Sequence, residues 1–393
     1  MNLQNDKKLK IAIFTDSFFP GVGGTESAVF HLANALKDLN YDIMVCAPIY
    51  YQLTNNDNYN FVVNRCKSKK VTDNYYNGHP NNSKEFIKKL NDFKPDLIHC
   101  HTNGAMLVYG IKYARKNNIP IISTIHTKFS MTIKNDIHSN LLTKICCKVI
   151  GSRLKKCDRV TAVSQSMDKE FALYGYKGQF DVIKNGTTFS VDDVKNVDKQ
   201  LAQKQYGLTD KDNILLFVGH VSKVKNIDFI FKSLQILNDK FTNFKMMFVG
   251  SIDDKKFYNM VINSELKNKI IFTDNIKNKQ LLSSIYLNSK LFLFPSIFDN
   301  DPLTIIESGI HDLPSIVLKN TGASERITNN VNGFIINDEL EMAEKINYLL
   351  NNQDVLKKVG HQASVDLPKN WNFVATRYID VYKKVIENYK KNS

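Results

Sequence analysis

No apolar run in the chain approaches the ~18 residues needed to span a bilayer, so no transmembrane helix is expected. The polar start, Met1 to Lys10, lacks the apolar stretch of a secretory signal. No pair of cysteines has CxxC spacing. Cys46, Cys66, Cys100, Cys146, Cys147 and Cys157 are scattered, which argues against a zinc site or redox dithiol and for reduced thiols in a cytoplasmic protein. The GxGxxG dinucleotide fingerprint is absent, as is any solenoid repeat. The tyrosines are dispersed and not interleaved in a basic groove, so base stacking on nucleic acid is not expected.

What is present is a globular composition, 43% apolar and 23% charged over 393 residues. That length exceeds one ordinary core and points to two domains. The net charge of +14 is uneven. Residues 1–190 hold 26 Lys+Arg against 15 Asp+Glu, or +11, and residues 191–393 hold 27 against 24, or +3. The basic first half suits an anionic partner: a membrane leaflet, a phosphorylated carrier or nucleic acid. A basic surface kept for solubility is the bland alternative.

Strand-length apolar runs alternate with helical periodicity. Lys10 to Thr15 reads as a strand, and Thr25 to Leu39 as a helix with Val29, Leu32, Ala33 and Leu36 on one face. Strands at 42–47, 96–100, 120–125, 159–163 and 181–184 and helices at 84–93 and 105–117 complete a first parallel sheet. Residues 52–82 read as loops with short strands. Residues 189–212 are polar, show no core pattern and are read as the junction. A second alternation runs from Ile214 to Leu318, and a final amphipathic helix from Trp371 to Tyr389. The expected fold is α/β: two tandem doubly wound, Rossmann-like domains facing across a cleft, over 1–190 and 191–368, with a helix over 369–393 crossing back. Ligands of such sheets sit beyond the strand carboxyl ends.

Several clusters fall at those ends. Gly21-Val22-Gly23-Gly24 follows the first strand, where backbone N–H groups can approach an anion; a plain tight turn explains it equally. Gly219, His220 and Lys225 follow the strand Leu215–Val218. Lys225 can reach a diphosphate as a point charge and His220 can donate a hydrogen bond, against the alternative of solvated surface groups. Asp299 and Glu307 flank Pro302, which suits the first helical position, with Asn300 or Asp301 as cap. Carboxylates there can accept from vicinal hydroxyls, although a capping Asp301 would compete with ligand for the amides of Leu303 and Thr304. Asp299-Asn300-Asp301 also spells a metal-binding DxD, and no metal is expected. His126 ends a strand in a Thr-His-Thr-Lys setting; His99 and His101 flank another strand end. Asp16, Gly21 and Lys128 are candidates for touching an acceptor. Ile133, Ile137, Leu141, Ile145 and Val149 recur every four residues among Lys134, Lys144, Lys148, Arg153, Lys155 and Lys156. This is the pattern of a core helix or of one resting on anionic lipid.

Together these residues resemble the retaining family 4 glycosyltransferases of the GT-B fold, over nearly the whole chain. Pro20 to Glu26 resembles the family's glycine-rich motif, Phe217 to Asn226 its phosphate-binding turn, and Phe294 to Ser308 its two-acid signature. Thr321 to Glu325 and Asn332-Gly333 match downstream landmarks. The resemblance implies that Lys225, with His220, binds the diphosphate of a nucleoside diphosphate sugar, UDP-linked. Glu307 would hold the ribose, Asp299 the transferred sugar, and amides around Leu303 and Thr304 sugar or phosphate oxygens. Gly23, Gly24 and Gly219 belong to the same donor site, and His126 would sit over the sugar. It implies no cofactor beyond the co-substrate and no metal. It implies an acceptor hydroxyl on a membrane lipid or a lipid-linked or cell-envelope glycan, reached at the membrane's inner face. Three departures stand out: His220 where Arg is usual, Asp299 for Glu, and Pro302 for Gly. A nucleic-acid-binding protein using the basic half, and a GT-B-like epimerase or phosphorylase, are the competing expectations.

Overall fold

Fully apolar strands need both faces covered, and the chain supplies that cover with helices. The structure, a computed structural model, describes residues 8–21, 23–51, 57–72 and 75–392. Val22 of the glycine-rich loop, residues 52–56 and the Ile137 side chain lie outside the described residues. Two units are present, one formed by 1–186 with 370–393 and the other by 187–369.

In the first unit, β1 (Lys10–Phe14), β2 (Asp42–Pro48), β3 (Val62–Cys66), β4 (Ser68–Thr72), β5 (Tyr75–Gly78), β6 (Leu97–Cys100), β7 (Ile121–Ile125), β8 (Arg159–Ala162) and β9 (Phe180–Val182) are the strands. Seven of them form a parallel sheet in the order β3-β2-β1-β6-β7-β8-β9. β4 and β5 make a separate antiparallel pair inside the region read as loops. Helices α1 (Gly24–Asp38), α2 (Lys84–Phe93), α3 (Ala105–Asn117), α4 (Phe129–Ile137), α5 (Asn140–Leu154) and α6 (Met167–Tyr174) connect the strands. The core face of α1 carries Ala28, Val29, Leu32, Ala33 and Leu36 at helical spacing.

The run read as one every-four stripe is two helices. The chain turns left-handed at His138, φ 53°, and the Ser139 hydroxyl accepts from Leu142 N to start α5 afresh. The face of α5 turned to the core is Thr143, Cys147, Ile150 and Leu154. Leu141, Ile145 and Val149 lie on the opposite face, 70%, 51% and 43% exposed, so the core-helix reading fails for them.

The second unit begins with two short helices, α7 (Val191–Lys195) and α8 (Gln200–Tyr206), in the polar stretch read as the junction. A capping box of Ser190 and Asp193 starts α7. Strands β10 (Ile214–Val218), β11 (Lys245–Val249), β12 (Ile270–Thr273), β13 (Ser289–Phe294), β14 (Ser315–Leu318) and β15 (Phe334–Ile336) follow. They form a parallel sheet in the order β12-β11-β10-β13-β14-β15. Its helices are α9 (Ile227–Asn238), α10 (Lys255–Ile262), α11 (Lys279–Asn288), α12 (Leu303–Ile310), α13 (Glu339–Asn351) and α14 (Gln353–Asp366). The last helix, α15 (Trp371–Asn392), belongs to the first unit. It packs with α1 and stacks Trp371 on His31. Along its stripe Val374, Tyr378 and Val385 are buried.

In both sheets the strand order reverses once, between β1 and β6 and between β10 and β13. That switch point opens a crevice at the carboxyl edge, because the two adjoining crossovers leave in opposite directions.

Candidate functional site

The crevice of the second unit holds most of the residues singled out above. After β10 the chain passes Gly219, φ 149°, and runs through a short 3-10 turn, Lys223–Lys225, into α9. The neighbouring turn after β11 holds Gly250 at φ 138°, and a Cβ there would lie 2.2 Å from the Gly219 carbonyl oxygen. Only glycine suits both the backbone angle and the close approach. After β13 the chain continues through Pro295, Ser296 and Asp299 to α12. Asn226 Nδ2 donates to the Pro295 carbonyl at 3.2 Å and ties the two loops together.

Across that tie Lys225 Nζ donates to both oxygens of Asp299, at 2.7 and 2.8 Å. Ser296 Oγ donates to the same carboxylate. The pair is partly exposed, 22% on each side chain. An ion pair at that exposure is worth about 1 kcal/mol or less, so a more highly charged anion can displace it.

Asp301 does not cap α12. Its carboxylate is held by Arg326, whose Nη2 donates at 2.8 Å and whose Nε donates to the second oxygen. Both side chains are buried, 2% and 6% exposed. Gly322 backs the same loop, since a Cβ there would meet the Asn300 carbonyl at 2.1 Å. Pro302 occupies the cap position, not the first helical one, and the helix start has no side-chain cap. The competition expected between Asp301 and a ligand therefore does not arise. Thr304 Oγ1 at this helix start is buried with no hydrogen-bond partner. The Asp-x-Asp sequence, for its part, holds its two carboxylates on two separate cations.

Glu307 lies one turn into α12 and is buried. Thr188 Oγ1 donates to Oε1 at 2.6 Å and the Tyr286 hydroxyl to Oε2 at 3.0 Å. Burial pushes the carboxyl above its ordinary range, and these hydrogen bonds act against that shift. His311 stacks on Tyr286 and is held by Ser283 and the Glu307 carbonyl; burial brings it down to about 4. Thr188 and Tyr286 were missed in the sequence because a hydroxyl beside an acid carries no local signature. His220 Nδ1 faces Asp253 at 3.1 Å and Ser251 Oγ at 2.8 Å.

In the first unit the edge beyond β6 and β7 carries the histidines. His126 Nε2 lies 2.9 Å from His101 Nδ1, and His101 Nε2 lies 3.3 Å from His99 Nδ1. Asp16, read as an acceptor candidate, has the geometry of a helix cap. Its oxygens accept from Gly104 N at 2.8 Å and Met106 N at 2.9 Å, and its own N–H donates to Thr102. Gly21 is packed under the Tyr50 hydroxyl, where a Cβ would come to 2.9 Å. Gly23 is the extended cap of α1 with Glu26 folded over it, and the space beside Gly24 is open. Lys128 is the cap residue of α4.

Two parallel-sheet Rossmann-like units carry these loops at their switch points, and known proteins share both units. The family model "Glycosyltransferase Family 4" matches residues 22–190, and "Glycosyl transferases group 1" matches residues 198–365. The chain belongs to these glycosyltransferases, with the GT-B fold. It is 20% identical to an alpha-monoglucosyldiacylglycerol synthase of Acholeplasma laidlawii, over 91% of this chain and 92% of that one. Among solved structures it resembles a sucrose-phosphate synthase from Thermosynechococcus elongatus, with TM-score 0.76, 16% identity, and 97% and 100% of the two chains covered. It also resembles Anabaena HepE in complex with UDP, with TM-score 0.75, 17% identity, and 96% and 100% covered.

Proposed function

We propose that this glycosyltransferase moves a sugar from a UDP-linked donor, with retention and without a metal, to a hydroxyl of a membrane lipid or a lipid-linked or cell-envelope glycan. The observation that carries the reading is the Lys225–Asp299 pair at the switch point of the second unit. A diphosphate bears more charge than one carboxylate, so it takes Lys225 from Asp299. The released carboxylate is then free to accept from sugar hydroxyls. Amides of Leu303 and Thr304 at the uncapped start of α12 meet phosphate or sugar oxygens, and Glu307 holds the ribose. His220, Gly219, Gly23 and Gly24 complete the donor contacts, and His126 meets the transferred sugar. Charge on the leaving diphosphate is stabilised by fixed donors, the strongest kind of help such a site gives. HepE's complex with UDP supports the nucleotide, and the lipid product in the name of the Acholeplasma relative supports the acceptor.

Membrane contact at the inner leaflet is assigned to α5. Opposite its core face it shows Leu141, Ile145 and Val149 beside Lys144 and Lys148, and no acidic residue occurs in Asn140–Leu154. Each lysine near an anionic surface adds about 1 kcal/mol.

Thermal shift against UDP-, GDP- and ADP-sugars tests the donor; saturating UDP-sugar at one hundred times Kd adds ~2.7 kcal/mol. Lys225→Ala is expected to lose this shift and at least ~100-fold in turnover, the scale of one lost electrostatic donor. Full activity in that variant overturns the site. Anomeric NMR of the product reads retention directly. Leu141→Ser with Ile145→Ser is expected to release the protein from phosphatidylglycerol vesicles while leaving donor binding intact; unchanged sedimentation removes α5 as the contact.

A further inference from the structure

We propose that His101, His99 and Tyr382 are positioning residues that set, from inside the first unit, which nitrogen of His126 carries its proton. The functional weight of this rests on the reading that His126 meets the transferred sugar; the geometry does not. The three imidazoles form one line from the carboxyl edge of the sheet to α15. Beyond the two ring-to-ring contacts already given, His99 Nδ1 lies 2.7 Å from the Tyr382 hydroxyl and His99 Nε2 lies 2.6 Å from Thr124 Oγ1. Two strands build the line: His99 lies within β6, His101 just beyond it, and His126 follows β7. His99 and His101 are 0% and 2% exposed. Burial holds both well below the ordinary histidine range, His99 at about 3, so both rings are neutral.

A neutral imidazole has one N–H and one lone pair. Two ring nitrogens that face each other at hydrogen-bond distance must be one of each. Only two arrangements satisfy the whole line, with every proton pointing inward from His126 or every proton pointing outward. Tyr382 decides between them. Its phenol is fully buried, burial keeps it protonated, and His99 Nδ1 is its hydrogen-bond partner. A buried hydroxyl proton left without an acceptor costs about 1–3 kcal/mol, so the phenol donates and His99 Nδ1 is the lone pair.

The rest follows by exchange along the line. His99 carries its proton on Nε2 and donates to Thr124, whose hydroxyl passes the direction on to Thr161 or Tyr378. His101 Nε2, 3.3 Å from the same His99 nitrogen, carries a proton and shares that lone pair with the closer phenol, because a bare nitrogen there would face a second lone pair. His101 Nδ1 is then bare and accepts from His126 Nε2–H. Neutral His126 is thereby fixed as the Nε2–H tautomer, with Nδ1 as its acceptor nitrogen. Ring orientation is fixed at the same time, because the hydrogen bond to His101 pins the imidazole against rotation. A tyrosine on the last helix, three rings away, chooses the chemistry offered at the strand end.

The test is long-range proton–nitrogen NMR on the full chain labelled with 15N-histidine, at about pH 8, above the ordinary histidine range. His126→Gln identifies the signals. The expected wild-type pattern is an Nε2–H tautomer for His126, and Tyr382→Phe should turn it into a mixture. In steady-state assays Tyr382→Phe and His101→Leu are expected to lower kcat about 10–100-fold, up to the lower limit of the roughly 100–10,000-fold that a positioned acid–base group contributes, with donor KM within about twofold. His101→Asn, which can still present an oxygen to His126 Nε2–H, should recover part of the loss. An Nδ1–H tautomer in the wild type, or His126 signals that ignore Tyr382→Phe, overturns the proposal. Should His126→Gln keep wild-type turnover while the NMR pattern holds, the proton line stands and the functional reading of His126 falls.

Discussion

At the switch point of its sheet the second unit sets Lys225 against Asp299 and, deeper, Arg326 against Asp301. The first unit has three imidazoles in line beyond β6 and β7, the rings at 99 and 101 wholly buried. The two sheets share a topology, so the fold does not dictate this difference. Formal charge near the surface serves to hold and release an anion. Buried neutral rings serve to fix the direction of a proton. On the function proposed above, the second unit takes the diphosphate and the first the acceptor hydroxyl, which is the division a two-substrate transfer needs.

The comparison is broken most sharply at the ion pairs. Arg326→Ala leaves Asp301 buried without its main cation, and such a loss costs about 3–5 kcal/mol. The counterpart in the first unit, Arg159–Asp181, is about one-third exposed on both sides, and Arg159→Ala is expected to cost under about 1 kcal/mol. Urea unfolding followed by hydrogen exchange in peptides of each unit checks both. Equal costs would show that Asp301 is not the anchor of the loop carrying Asp299.

Acid sharpens the comparison next. His99 is held at about 3 and His101 also well below 6.5, both in the first unit, whereas His311, at about 4, is the corresponding residue in the second. A depressed histidine is neutral when folded and takes up a proton when unfolded. Its contribution is complete above pH 6.5 and is lost as pH falls from there toward the folded value. Each such ring contributes a slope of about 1.4 kcal/mol per pH unit. Between about pH 6 and 4.5 the first unit, with two rings, should lose stability roughly twice as steeply, and its amides should exchange first on acidification. Parallel loss in both units would mean that His99 or His101 is protonated in the folded state.

How much of this was legible follows from where the signals were local. Strands such as Ile214–Val218 are continuous apolar runs, and helices such as Lys84–Phe93 carry their period in 10 residues; both were readable. Lys225, Asp299 and Glu307 were readable as strand-end and helix-start groups. The pairing of Asp301 with Arg326, and of Glu307 with Thr188 and Tyr286, joins residues far apart in sequence and leaves no spacing rule. Helices α7 and α8 were passed over because they bury little; in α8 the one buried residue is Ala202. The Ser-x-x-Asp of the capping box at Ser190 was a usable sign. So was His99-x-His101, read only as two histidines flanking a strand end: residues two apart on a strand point to one face. The stripe from Ile133 to Val149 misled because a period of four matches a helix but says nothing of which side meets the core.

The smallest effect separates stability from function at Glu307. Its carboxyl is raised by burial above 4.5, so its contribution to stability is full below pH 4.5 and fades as pH rises through the folded value. At pH 7–8 the ionised, buried group is a cost that Thr188 and Tyr286 only partly offset. Glu307→Gln removes that cost and keeps the shape, with the amide able to accept from one hydroxyl and donate to the oxygen of the other. The variant is expected to be more stable than wild type at pH 7–8 and no more stable near pH 4, where the wild-type group also becomes neutral. If Glu307 holds the ribose as a charged acceptor, the same variant loses UDP affinity about 10-fold, since hydrogen bonds to charged groups contribute about 1.5–3 kcal/mol. Thermal melts with and without UDP at both pH values read the two effects together. A variant that is stabilised and binds UDP as well as wild type would leave Glu307 as a structural acid and move the ribose elsewhere.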